Sequence, residues 1–100
     1  MNHLEHLISN KQVFFNFMNE NYTIFKDSNL FLRDLQYAII SYFEKKEHPV
    51  KYAEAEMLAI NYIENLLSTN DLNKIDYKSW KINFEVGIKK NAEIEGVENE

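Results

Sequence analysis

His3 and His6 come nearest in this chain to a metal-ligating pair. They stand three residues apart, so a helix would place them on one face, with Glu5 close by. A metal centre needs a third ligand and further groups to orient the first ones, and the pair has neither within reach. No metal and no cofactor are expected. His48 precedes Pro49 and reads as a polar turn residue. Glu54 and Glu56 are two apart and point to different sides of a helix. Glu44 and Glu47 have the better spacing, but they lie beside Lys45 and Lys46 at a helix end and read as a solvated face. There is no Ser-His-Asp spacing, no phosphate-cradling glycine loop and no calcium loop. Without a single Cys, the chain has no thiol nucleophile, thiolate ligand or disulfide. Arg33, the only arginine, has the right chemistry to anchor a carboxylate or phosphate. The simpler expectation is a pair with Asp34 or with an acidic side chain of a neighbouring helix. An enzymatic role would need a deep pocket holding Arg33 with a His or a carboxylate. No catalytic residue is assigned.

Binding is better supported than catalysis, and charge decides what is bound. Net charge is −5. Residues 52–73 carry Glu54, Glu56, Glu64 and Asp71 and no base, whereas the next seventeen residues hold Lys74, Lys78, Lys81, Lys89 and Lys90. Lys74, Lys78 and Lys81 are the candidates for contacting nucleic acid, because phosphate neutralisation supplies most of the non-specific affinity. They also read simply as a solvated surface. Met57 and Ile60, with Ala53, stand at helical spacing on a stripe apart from the core-facing one. Either another part of the chain covers them, or they form an apolar patch rimmed by Glu56, Asn61 and Glu64, suited to protein docking. Val13 and Phe17 pose the same choice: inside a buried helix, or facing a partner or a second copy. Val13, Phe17, Met57 and Ile60 are therefore the candidate partner-binding residues.

The elements that must position these residues are mostly helical. The clearest is residues 52–67, where Tyr52, Ala55, Leu58, Ala59, Tyr62, Ile63, Leu66 and Leu67 keep to one face of a 3.6-residue period. Glu54 and Glu56 in its first turn suit the helix dipole. Asn70 can take the left-handed conformation that ends a helix. Its outward face shows three carboxylates and no base, which opposes DNA recognition. An earlier helix is expected over roughly residues 2–21, kinking near Ser9 and Asn10. Residues 22–25 (YTIF) are either its fraying end or a short strand. Ser28 or Asn29 is the expected N-cap of a largely enclosed helix over residues 30–46, with Lys45 and Lys46 in its last turn. Trp80, Ile82 and Phe84 alternate with polar residues, a strand period. Paired with residues 72–75 across a turn at 76–79, they make a β-hairpin, with Trp80 packed on the helices.

Three helices followed by a short hairpin is the element order of a winged-helix domain, with residues 22–25 as its small extra strand. The alternative is a small helical bundle with an extended C-terminal arm. One hundred residues, 45% of them hydrophobic, suffice for one domain with a true core. Residues 1–90 are expected to be that domain, and residues 91–100, acidic and without aromatics, a disordered tail. No basic lead followed by an apolar run opens the chain, and no apolar run is long enough to span a bilayer. The composition predicts a cytoplasmic, non-enzymatic interaction or regulatory module, with another protein or a second copy of itself as partner. The rival is a winged-helix nucleic-acid-binding regulator.

Overall fold

The computed structural model describes residues 1–86. They form four helices and a three-stranded antiparallel sheet. The helices are α1 (His3–Ser9), α2 (Lys11–Asn19), α3 (Leu32–Lys45) and α4 (Tyr52–Ser68). The strands are β1 (Asn29–Phe31), β2 (Leu72–Asp76) and β3 (Ser79–Ile82), ordered β1-β3-β2. The chain is mainly helical, with a hairpin after its longest helix. The expected acidic tail and the outer lysines, Lys89 and Lys90, lie outside the described residues.

The single long first helix is a correction. Asn10 leaves the helical region with φ −119° and ψ 41°, so α1 and α2 are separate. Its side-chain amide donates to the His6 carbonyl at 2.9 Å, and such local bonding competes with helix continuation. Asn2 caps α1, its Oδ1 accepting the Glu5 N–H at 3.0 Å. Leu7 of α1 is buried, while Ile8 is exposed. From α2, Phe14, Phe15 and Met18 enter the core.

The short strand also lies elsewhere than expected. Tyr22 donates its N–H to the Met18 carbonyl, so residues 22–25 begin as the fraying end of α2. Ile24 then drops into the core, its N–H held by Asn19 Oδ1 at 3.1 Å. The third strand is instead Asn29–Phe31, in register with Lys81, Trp80 and Ser79. Ser28 does not cap α3: its hydroxyl closes a turn on both backbone groups of Phe25. Phe31 holds the N-cap position, without a side-chain bond. Nor is α3 enclosed all round. It buries Leu35, Gln36, Ala38, Ile39, Tyr42 and Phe43 and leaves Tyr37 exposed.

α4 carries the expected face. Ala55, Ala59, Tyr62, Ile63 and Leu66 are buried, Leu58 and Leu67 partly so, but Tyr52 at its start is exposed. Glu54 accepts the Lys51 N–H at 3.0 Å. Lysine offers no acceptor in return, so only that half of a capping box forms. Asn70 ends the turn with φ 64°, as its side chain allows. The hairpin then pairs Leu72 with Ile82 and Lys74 with Trp80, with a bulge between Lys74 and Asp76. Leu30, Leu72, Trp80 and Ile82 bury the inner sheet face against the helices. Four rings tie the helices together: Phe14 lies edge-on to Tyr42 at 5.2 Å, and Phe15 stacks on Tyr62 at 5.9 Å. Tyr62 also donates its hydroxyl to the Leu7 carbonyl at 2.9 Å, joining α4 to α1.

Candidate functional site

α4 turns its second stripe to solvent. Met57 is 60% exposed and Ile60 38%, so neither is taken into the core. Glu54, Glu56, Asn61 and Glu64 around them are exposed too. Met57 also edges a cleft against the start of α1, beside His3 and Leu4. The outward stripe is thus an apolar ridge along the helix with carboxylates beside it.

Val13 and Phe17 come together in a different place. They line a cleft of about 380 Å³ between α2 and α3, with Tyr42 as its floor. Val13 is 51% exposed; Phe17 is half-buried, edge-on to Tyr42 at 5.4 Å. Lys45 and Lys46 close one rim and Glu20 sits on the other. Lys45 Nζ lies 5.9 Å above the Phe17 ring and Lys46 Nζ 5.4 Å above Tyr42. The structure therefore separates the four candidate partner-binding residues into two surfaces, an acidic ridge and a lysine-rimmed cleft. Tyr42, Lys45 and Lys46 were not singled out as binding residues, yet their spacing carried the signal. Side chains three and four beyond Tyr42 on a helix fall beside it.

The histidines do not converge. His3 Nε2 bonds the His48 carbonyl at 3.0 Å, and His6 Nε2 bonds the Tyr42 hydroxyl at 2.7 Å. Both rings also stand edge-on to Phe43, so they pin α1 to the end of α3. Burial, with Lys46, His3 and His48 nearby, holds His6 below its ordinary pKa. Among the described residues no three His, Asp or Glu side chains gather as metal ligands would.

Arg33 departs from expectation. Among the described residues the ion pair formed is Lys11–Asp71, at 3.0 Å, and Arg33 has none. Adjacent helix residues diverge, so Arg33 and Asp34 do not face each other. Arg33 instead borders an open cleft with Phe31, Gln36, Tyr52, Glu56 and Lys78.

Lys74, Lys78 and Lys81 are all exposed but do not share a face. Lys74 pairs with Trp80 and Lys81 with Asn73, and alternation sends Lys74 and Lys81 to opposite sides of the sheet. Lys78 sits in the turn beside Tyr77, which is 76% exposed. Trp80 is packed inside, its Nε1 buried with no hydrogen-bond partner.

No family model, no curated protein and no solved structure matches this chain. Among the described residues no helix is long and apolar enough to cross a membrane.

Proposed function

We propose that this chain is a non-enzymatic interaction module, regulatory in role and cytoplasmic, that docks another polypeptide on the outward face of α4. The observation that carries this is the exposure of Met57 and Ile60 on a face that also bears Glu54, Glu56 and Glu64 and no base. Apolar side chains held in water lose that contact when a partner covers them. The rim of Glu54, Glu56 and Glu64 selects a partner with basic groups beside its apolar ones. Two α4 faces meeting back to back would set glutamates against glutamates, so this face does not suit a symmetric self-pair. The absence of Cys suits a reducing compartment.

The test uses a lysine-rich amphipathic helical peptide as probe, with an acidic peptide of equal apolarity as control. The expected result is a shift of the backbone amide resonances of Met57, Ile60 and Asn61 with the basic peptide alone, abolished by Met57→Asp. No shift at α4, or equal shifts with both peptides, overturns the proposal.

A second reading has one observation in its favour. Tyr77 and Phe31 are exposed beside Lys78, an arrangement on which bases can stack. On this reading α3, α4 and the hairpin act as a winged-helix nucleic-acid-binding regulator, with Lys74, Lys78 and Lys81 as its contacts. It predicts binding to nucleic acid that weakens steeply with salt. No binding at low salt removes it.

A further inference from the structure

We infer that the polypeptide docked on α4 is a second copy of this chain, joined head to tail: the α4 ridge of one copy enters the α2–α3 cleft of the next. This rests on the reading of α4 as a docking face and names its occupant. The ridge offers Met57 and Ile60 flanked by Glu56 and Glu64. The cleft offers Val13, Phe17 and Tyr42 flanked by Lys45 and Lys46. Each surface is what the other lacks, apolar at the centre and opposite in charge at the rim.

The lysines support this independently of the ridge. Among the described residues neither Lys45 nor Lys46 meets a carboxylate of its own chain. Both ammonium groups lie over aromatic rings at the mouth of the cleft, free to take an acidic partner. Glu20 on the far rim opposes an acidic ridge, so it sets direction: the ridge enters with its Glu56 and Glu64 side toward Lys45 and Lys46.

Symmetric pairing fails on sign. Ridge against ridge opposes acids, and cleft against cleft opposes lysines. Only the unlike surfaces match, which makes the contact heterologous, and such contacts build rings or open chains. Ridge and cleft share no residue, so one copy can use both at once. A single helix face on a single cleft falls at the small end of interface sizes, below roughly 1,200 Å² in total, so the association is weak and salt-dependent.

Sedimentation of the full chain over a range of concentrations tests this. At low salt the average mass should rise with concentration, and at high salt it should fall back toward monomer. The variant Lys45→Glu with Lys46→Glu, and the variant Glu56→Lys with Glu64→Lys, should each stay monomeric alone. Their equimolar mixture should recover association, because acidic and basic surfaces are again matched. A zero-length carbodiimide cross-link joining Glu56 or Glu64 of one wild-type copy to Lys45 or Lys46 of another gives the same answer without any substitution. Wild-type protein that stays monomeric at low salt, or a mixture that does not associate, overturns the inference. If the wild type is monomeric while the lysine-rich peptide still shifts α4, the docking face stands and only the second copy is wrong. If the peptide also fails, both are wrong.

Discussion

Tyr62 does two jobs through one side chain. Its ring stacks on Phe15 inside the core, and its hydroxyl satisfies the Leu7 carbonyl at the end of α1. Tyr62→Phe keeps the ring and orphans that carbonyl, so it should cost about 1–2 kcal/mol in urea unfolding. Burial first, then Asp71 and Tyr42, raises the pKa of the Tyr62 hydroxyl. Its contribution to stability is therefore complete below the ordinary tyrosine value and is lost as pH rises above it. The sign reverses for His6, whose pKa is lowered chiefly by burial. An unfolded chain then binds the proton more tightly than the folded one does. Stability from this group is complete above about pH 6.5, the ordinary histidine value, and falls as pH drops below it. Unfolding midpoints measured from pH 7 to 5 should show that slope, and His6→Gln should flatten it. The slope arises where α1 is pinned to α3, so α1 should be the first helix to loosen in acid.

At the scale of elements, the corner after α4 rests on a residue that tolerates unusual backbone. Asn70 stands at φ 64° between α4 and β2. Asn70→Ala should destabilise by about 1 kcal/mol, because a Cβ without a polar side chain is strained there. Asn70→Gly should lie within about 0.5 kcal/mol of wild type, since glycine accepts that conformation. Equal loss from both substitutions would show that the Asn70 side chain itself, and not its backbone, holds the corner. Asn10 plays the complementary part at the other end of the chain. By turning the backbone between α1 and α2 it sets the angle at which Leu7 from one helix and Phe14 from the next meet the same core. The break has a local chemical cause, the bond from the Asn10 amide to His6, but its direction is set by the core that both helices share.

For the whole molecule, the division between the core and the exposed stripe of α4 gives a stability contrast. Met57→Asp changes the more exposed side chain and should move the unfolding free energy by less than about 1 kcal/mol, while Ile60→Asp, at a side chain only 38% exposed, should cost more, about 1–2 kcal/mol. Leu66→Ala, in the same helix but facing inward, should cost about 2–5 kcal/mol. If either aspartate variant unfolds the protein, the stripe is core and α4 has no free face. Elsewhere on the surface, Glu54, Glu56 and Glu64 line the outward face of α4 and Lys45 and Lys46 rim the cleft between α2 and α3, so the two faces carry opposite charge.

Several features were legible in the residues alone, because they depend on neighbours in the chain. The period of residues 52–67, the left-handed Asn70, the alternation at Trp80 and Ile82 and the turn between the two hairpin strands are all local patterns, and each took the form its spacing implies. Other features were not local. Whether β1 forms at residues 29–31 or earlier depended on which segment could reach the free edge of β3. Whether Met57 was covered depended on where the hairpin and α1 came to lie. The split of Val13 and Phe17 from Met57 and Ile60 onto separate surfaces, and the gathering of Lys45 and Lys46 over Phe17 and Tyr42, follow from how α2 packs on α3. Period and charge along a single chain specify which side of each helix turns inward; only packing, which brings together residues far apart in sequence, decided what lies beside its outer side.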